Sequence, residues 1–95
     1  MKRTTLIAVL TLLFFKGLAQ HGDYAKVNGV KLYYESHGVG EPLLLLHNFT
    51  SSHKLWEPFV KSLSKKYKLI IPDLRGHGKS TNPSNTFTHK ASAKD

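Results

Sequence analysis

Hydrophobic positions follow different rhythms along this chain, and each rhythm predicts a different element. Strand-forming residues, Tyr24 to Val27 and Val30 to Tyr34, stand on either side of Asn28-Gly29. Asn-Gly favours the two-residue type I′ turn, which needs positive φ at both central positions, so an antiparallel hairpin is expected. His37 to Pro42 is loop by composition. Leu43-Leu44-Leu45-Leu46 is continuous rather than alternating. A short apolar run bounded by turns suits a strand buried on both faces, although leucine alone leaves a helix open. Trp56, Phe59, Val60 and Leu63 then recur at i, i+3, i+4 and i+7, the stripe of one helix face. Ser51 or Ser52 can cap that helix, and Pro58 sits near its start, where a missing N–H matters least. Lys68-Leu69-Ile70-Ile71 is a second apolar run, closed by Pro72-Asp73. Strand, loop, helix and strand form a βαβ unit, so the two apolar strands are expected to be parallel.

The N-terminus has a different pattern. Met1-Lys2-Arg3 is cationic, Leu6 to Phe15 is apolar apart from Thr11, and Lys16 is followed by Gly17-Leu18-Ala19. A charged start, a short apolar core and small residues at the exit predict a secretory signal peptide over 1–19, cleaved after Ala19. The competing reading is an uncleaved anchor, but the run is well short of the ~20 residues that cross a bilayer. Residues 20–95 would then be the mature chain, exported to the periplasm or the medium, with the membrane met only in transit.

The 95 residues carry 14 Lys+Arg against 6 Asp+Glu, a net +8, and no cysteine. Without cysteine there is no disulfide framework, cysteine zinc site or cysteine nucleophile. The predicted cleavage removes Lys2, Arg3 and Lys16. The remaining lysines are spread over helix and loops with no arginine cluster or aromatic interleaving, so no nucleic-acid partner is expected. His21, His37, His53 and His89 are scattered in sequence, and no metal site is expected from them.

Asp73-Leu74-Arg75-Gly76-His77-Gly78-Lys79-Ser80 carries the most specific signal. Gly78-Lys79-Ser80 matches the end of a phosphate-binding P-loop, but Asp73 stands where that motif needs glycine, and no helix start follows Ser80. The octapeptide instead resembles the Asp-x-Arg-Gly-His-Gly-x-Ser segment of the α/β-hydrolase superfamily. The hairpin at Asn28-Gly29, the leucine-rich strand ending in His47, Trp56 and Ile70-Ile71-Pro72-Asp73 follow the same order as in that family. The resemblance runs from about Tyr24 to the C-terminus. It implies an α/β fold, here the N-terminal portion of the hydrolase sheet, with a hairpin plus a βαβ unit. It also implies that Lys68–Ile71 lies between the hairpin and Leu43–Leu46, whose outer edge carries neither charge nor proline.

The resemblance further implies site residues. His47 takes the place of the family's His-Gly histidine. The backbone N–H of Phe49 takes the place of one oxyanion-hole donor. Asn48 stands where the family usually has glycine, and asparagine adopts left-handed backbone more readily than most residues, so the turn is expected to persist there. Asp73, Arg75, Gly76, His77, Gly78 and Ser80 are implied to be scaffold. No Gly-x-Ser-x-Gly occurs, so the nucleophile, acid and histidine of the triad are not among these residues. Ala91 to Asp95 resembles the beginning of the family's next helix, which suggests the N-terminal piece of a longer enzyme. The implied function is an exported hydrolase acting on an ester, lactone, amide or epoxide of a small molecule, with no cofactor. The alternative is a non-catalytic remnant of the fold.

Overall fold

The computed structural model describes residues 21–95; the predicted signal peptide, 1–19, lies outside the described residues. Strand β1 (Gly22–Val27) turns through Asn28-Gly29 into β2 (Val30–His37). The turn has φ of 46° at Asn28 and 77° at Gly29, the positive pair that Asn-Gly accommodates. Next come β3 (Glu41–Leu44), a 3-10 turn (His53–Trp56), α1 (Glu57–Leu63), β4 (Tyr67–Pro72) and α2 (His89–Lys94).

The four strands form one mixed sheet in the order β1-β2-β4-β3. β1 and β2 are antiparallel, with Ala25 opposite Leu32, and β2 and β4 are antiparallel, with Glu35 opposite Ile71. β3 and β4 are parallel, with Leu43 beside Leu69. The β4 strand therefore lies between the hairpin and the leucine strand, as the resemblance implied. β2 runs three residues beyond Tyr34 because Glu35, Ser36 and His37 pair with Ile71, Ile70 and Leu69, partners far away in sequence.

The leucine strand departs from expectation in two ways. It spans Glu41–Leu44 rather than Leu43–Leu46, so its edge does contain a charge and a proline. An edge strand tolerates Pro42 because one side of its backbone needs no ladder partner. The run is also not buried on both faces. Leu45 is buried, whereas Leu44 and Leu46 are more than half exposed. The pleat sends alternate residues to opposite faces, and only one face is covered.

On the covered face, Leu45, Leu69 and Ile71 form the core, packed by Leu43, Trp56, Val60, Leu63 and Tyr67. Complete burial of Leu69 and Ile71 contributes about 1.5–3 kcal/mol each. Phe59, expected in the helix stripe, is exposed and instead meets Trp56 edge-on, with ring centroids 6.0 Å apart. At about 100° per residue it lies roughly 70° from the middle of the Val60–Leu63 stripe. The opposite face, with Leu32, Tyr34, Leu44, Leu46 and Ile70, lines an apolar trough of about 770 Å³ that ends against α2.

The 3-10 turn starts at Ser52, whose hydroxyl accepts from the Lys54 N–H, and Pro58 lies in the first turn of α1. α2 begins at His89, two residues before the predicted Ala91, because Thr88 caps it by accepting from the Ala91 N–H at 2.9 Å.

Candidate active-site scaffold

β4 delivers Asp73 to the end of the sheet, and Asp73 is completely buried. Its Oδ1 accepts from the His53 backbone N–H (2.5 Å) and from His53 Nδ1 (2.8 Å), and its Oδ2 accepts from the Lys79 N–H (2.8 Å). Gly78 has φ of 51°, and a Cβ there would collide with this carboxylate, so that position admits only glycine without rearrangement. Ser80 is tied at both ends: its hydroxyl donates to the Asp73 carbonyl (2.7 Å) and accepts from the Tyr33 N–H (2.8 Å). Thr81 continues the attachment, exchanging backbone and hydroxyl bonds with Lys31. The loop after β4 is thereby stitched onto β2.

A polar chain extends from Asp73 that the sequence reading did not assemble. His53 Nε2 lies 3.2 Å from Glu35 Oε2, the Tyr33 hydroxyl donates to the same oxygen at 2.9 Å, and His37 Nε2 meets Glu35 Oε1 at 2.9 Å. The signal was available in part: Tyr33, Glu35 and His37 sit at i, i+2 and i+4 of a strand and so share a face. Burial pushes the Asp73 carboxyl up, but the N–H groups of Lys79 and His53, with the His53 ring, outweigh it and hold the pKa below the ordinary value. Glu35 behaves alike: burial raises it, while His37, Tyr33 and His53 bring it below normal. The Tyr33 hydroxyl is pushed up to about 12 by burial and by its bond to Glu35.

Arg75 forms a two-pronged pair with Asp95, Nε to Oδ2 at 2.7 Å and Nη2 to Oδ1 at 2.5 Å. Asn28 Nδ2 donates to the Lys94 carbonyl at 2.8 Å. The hairpin turn and the loop after β4 thus both hold the end of α2. The bond to Arg75 lowers the Asp95 pKa, and the same bond raises that of Arg75.

The segment after β3 is held by two histidines. His47 Nδ1 donates to the Asn48 carbonyl (2.7 Å) and its Nε2 accepts from the Leu74 N–H (2.9 Å). His77 Nδ1 donates to the Arg75 carbonyl (3.0 Å) and its Nε2 accepts from the Thr50 N–H (3.0 Å). These partners assign the proton to Nδ1 in both rings. The left-handed residue of this turn is Thr50, with φ of 69°, and not Asn48 as expected. Asn48 has no need of that conformation because its carbonyl is already held by His47 and by the Ser51 N–H (3.1 Å). Among the described residues, the Phe49 N–H has no hydrogen-bond acceptor. The Phe49 side chain is 60% exposed and its ring meets those of His77 and Phe87, each at 5.2 Å. A cleft of about 680 Å³ opens here, bordered by Phe49, Thr50, His77 and Phe87.

The structure therefore gathers His47, Asp73, Arg75, Gly76, His77, Gly78 and Ser80 around one loop, with Phe49 resting on His77. The side-chain polar atoms of Ser80 and His77 are all engaged by the backbone, which suits a scaffold.

A mixed sheet with an antiparallel hairpin beside a parallel βαβ unit, closed by this Asp-x-Arg-Gly-His-Gly-x-Ser loop, defines a class of hydrolase scaffold. The family model described as alpha/beta hydrolase fold matches residues 41–95, and the chain belongs to that family. It is 37% identical over 71 residues to a soluble epoxide hydrolase of Corynebacterium sp. (strain C12), covering 75% of this chain and 25% of that protein. The crystal structure of the Cif epoxide hydrolase from Acinetobacter nosocomialis aligns with a TM-score of 0.70 at 35% identity, over 77% of this chain and 23% of that one. The enol-lactonase from Burkholderia xenovorans LB400 aligns with a TM-score of 0.71 at 30% identity, over 76% of this chain and 29% of that one. The chain spans about a quarter of the length of these relatives.

Proposed function

We propose that this chain supplies the first strands and one oxyanion-hole donor of an exported hydrolase. The substrate is an ester, lactone, amide or epoxide of a small molecule. The observation that carries the reading is the Phe49 N–H: the resemblance implies the donor role for this position, the carbonyl of its peptide accepts from His47 and from the Ser51 N–H, and among the described residues the N–H itself has no acceptor. A donor fixed in advance stabilises the negative oxygen of an acyl-transfer intermediate without reorganising when charge develops. The names of the relatives, epoxide hydrolase and enol-lactonase among them, support the substrate range.

The test uses the protein expressed from its coding sequence through the stop codon, assayed with chromogenic short-chain esters and aryl epoxides. Phe49→Pro removes the N–H, whereas Phe49→Ala keeps it. Loss of one oxyanion donor costs ~10²–10³ in kcat. A Phe49→Pro variant that is folded and as active as the Phe49→Ala variant refutes the role. In the second reading the chain is a non-catalytic remnant of the fold with no activity. It is favoured by the lack of Gly-x-Ser-x-Gly and by the complete engagement of Ser80 and His77. Ester hydrolysis by the 95-residue chain that disappears in Ser80→Ala would overturn it.

Export rests on Lys2-Arg3, the apolar run to Phe15 and the small residues Gly17 and Ala19. N-terminal sequencing of the secreted product is expected to begin at Gln20; a product beginning at Met1 in the membrane fraction refutes cleavage.

A further inference from the structure

The Phe49 N–H is useful as a donor only if its peptide keeps one orientation, and the residue that follows makes this difficult. Thr50 has φ of 69°. Left-handed backbone costs an L-residue roughly 1–2 kcal/mol, and a β-branched side chain is among the least suited to it. Something has to hold Thr50 there. The one hydrogen bond its amide makes among the described residues is to His77 Nε2, at 3.0 Å.

The His77 ring is itself locked. Nδ1 donates to the Arg75 carbonyl at 3.0 Å. The ring is wedged between His47 (5.1 Å between centroids), Phe49 (5.2 Å) and Phe87 (5.1 Å). Arg75, whose carbonyl accepts the hydrogen bond from His77 Nδ1–H, is anchored in turn by Asp95. A rigid acceptor is thereby aimed at the Thr50 N–H from the neighbouring loop.

We propose that His77 is a second positioning residue of the oxyanion turn: His47 and the Ser51 N–H hold the carbonyl of the peptide that carries the Phe49 N–H, the His77 Nε2 lone pair holds the peptide that follows and keeps Thr50 in left-handed backbone, and a proton on Nε2 releases that second hold. The proposal rests on the reading of the Phe49 N–H as an oxyanion donor. His77 touches no reacting atom in this scheme; it acts through Thr50. Protonation replaces the acceptor with a second donor, which faces the Thr50 N–H. The groups around the ring offer no compensation. His47 faces it with both nitrogens used by Leu74 and Asn48, the Arg75 side chain is taken by Asp95, and His89 lies beyond Phe87. The nearby carboxylate of Asp73 is occupied by His53 and Lys79.

Two variants separate this role from space filling. His77→Phe keeps a ring among His47, Phe49 and Phe87 but has no acceptor. His77→Gln can place a carbonyl oxygen near the position of Nε2. In the expressed protein, His77→Phe is expected to lower kcat roughly tenfold with KM little changed, because a misdirected donor weakens only the transition state. The Thr50 amide is expected to exchange roughly tenfold faster while the Leu69 and Ile71 amides stay protected. His77→Gln is expected to restore both. Unchanged kcat and unchanged Thr50 exchange in His77→Phe overturn the proposal. If His77→Phe does not fold, the unsubstituted protein still decides: the Thr50 amide shift must follow the titration of the His77 ring, and a shift independent of it overturns the proposal. Failure of the oxyanion reading itself is recognised separately, by Phe49→Pro retaining full kcat while Thr50 still responds to His77.

Discussion

Replacing Asp73 with Asn is expected to be among the most damaging single-atom changes in this chain. The side chain keeps its size, but one oxygen becomes an amide NH₂, a donor only. At present the two carboxylate oxygens accept from the His53 N–H, His53 Nδ1 and the Lys79 N–H, all within 2.8 Å, in a site with no solvent exposure. If the amide oxygen stays with His53, its NH₂ meets the Lys79 N–H, donor against donor. If it turns, two donors of His53 are stranded instead. A hydrogen bond to a charged group is worth ~1.5–3 kcal/mol, and breaking one side of a buried charged contact costs ~3–5 kcal/mol. A loss of about 3–5 kcal/mol is expected, a large share of the ~5–15 kcal/mol that holds a domain. Urea unfolding followed by circular dichroism measures it, with an unchanged m-value showing that the unfolded state is the same.

The same contacts set an acid limit. Asp73 and Glu35 both have folded pKa values below their ordinary ones, so the unfolded chain binds more protons as pH approaches the carboxylate range. Their contribution is complete above the ordinary values of about 4 and is lost as pH falls through the lowered folded values. Asp73→Asn should flatten that acid limb. A destabilisation below ~1 kcal/mol, or an acid limb of unchanged slope, would refute the hub role of Asp73.

Gly78→Ala and Gly76→Ala should separate widely although both positions have positive φ, 51° and 71°. A Cβ at Gly78 strikes the buried Asp73 carboxylate, whereas at Gly76 it stands 3.3 Å from the Cβ of Asn82, a half-buried loop side chain. Thermal unfolding is expected to show ~1–2 kcal/mol lost for Gly76→Ala and clearly more for Gly78→Ala; equal losses contradict the collision argument. Arg75→Lys abolishes the two-pronged bond to Asp95, and amide exchange across His89–Lys94 is expected to accelerate while that of β4 does not. Unchanged exchange in that helix would show that Asn28 and Thr88 hold it without Arg75.

The sequence by itself determined the hairpin, the parallel unit, the helix and the family, because each rests on local chemistry. Asn28-Gly29 demands a particular turn, Pro58 marks a helix start, and Asp73 to Ser80 is a contiguous motif. The scaffold residues of that motif were legible for the same reason. Tertiary structure decided what depends on partners distant in the chain. β2 reaches His37 only because β4 is there to pair with it. The four leucines alternate between core and trough because helix α1 covers one face, which no count of leucines reveals. His37 and His53 looked unrelated until folding placed Glu35 between them, next to an Asp73 that is 20 residues beyond His53. The left-handed residue after β3 is Thr50 rather than Asn48, because the acceptor that stabilises it sits on His77, 27 residues away. Local propensity favoured asparagine, but a single long-range hydrogen bond between two loops outweighed it.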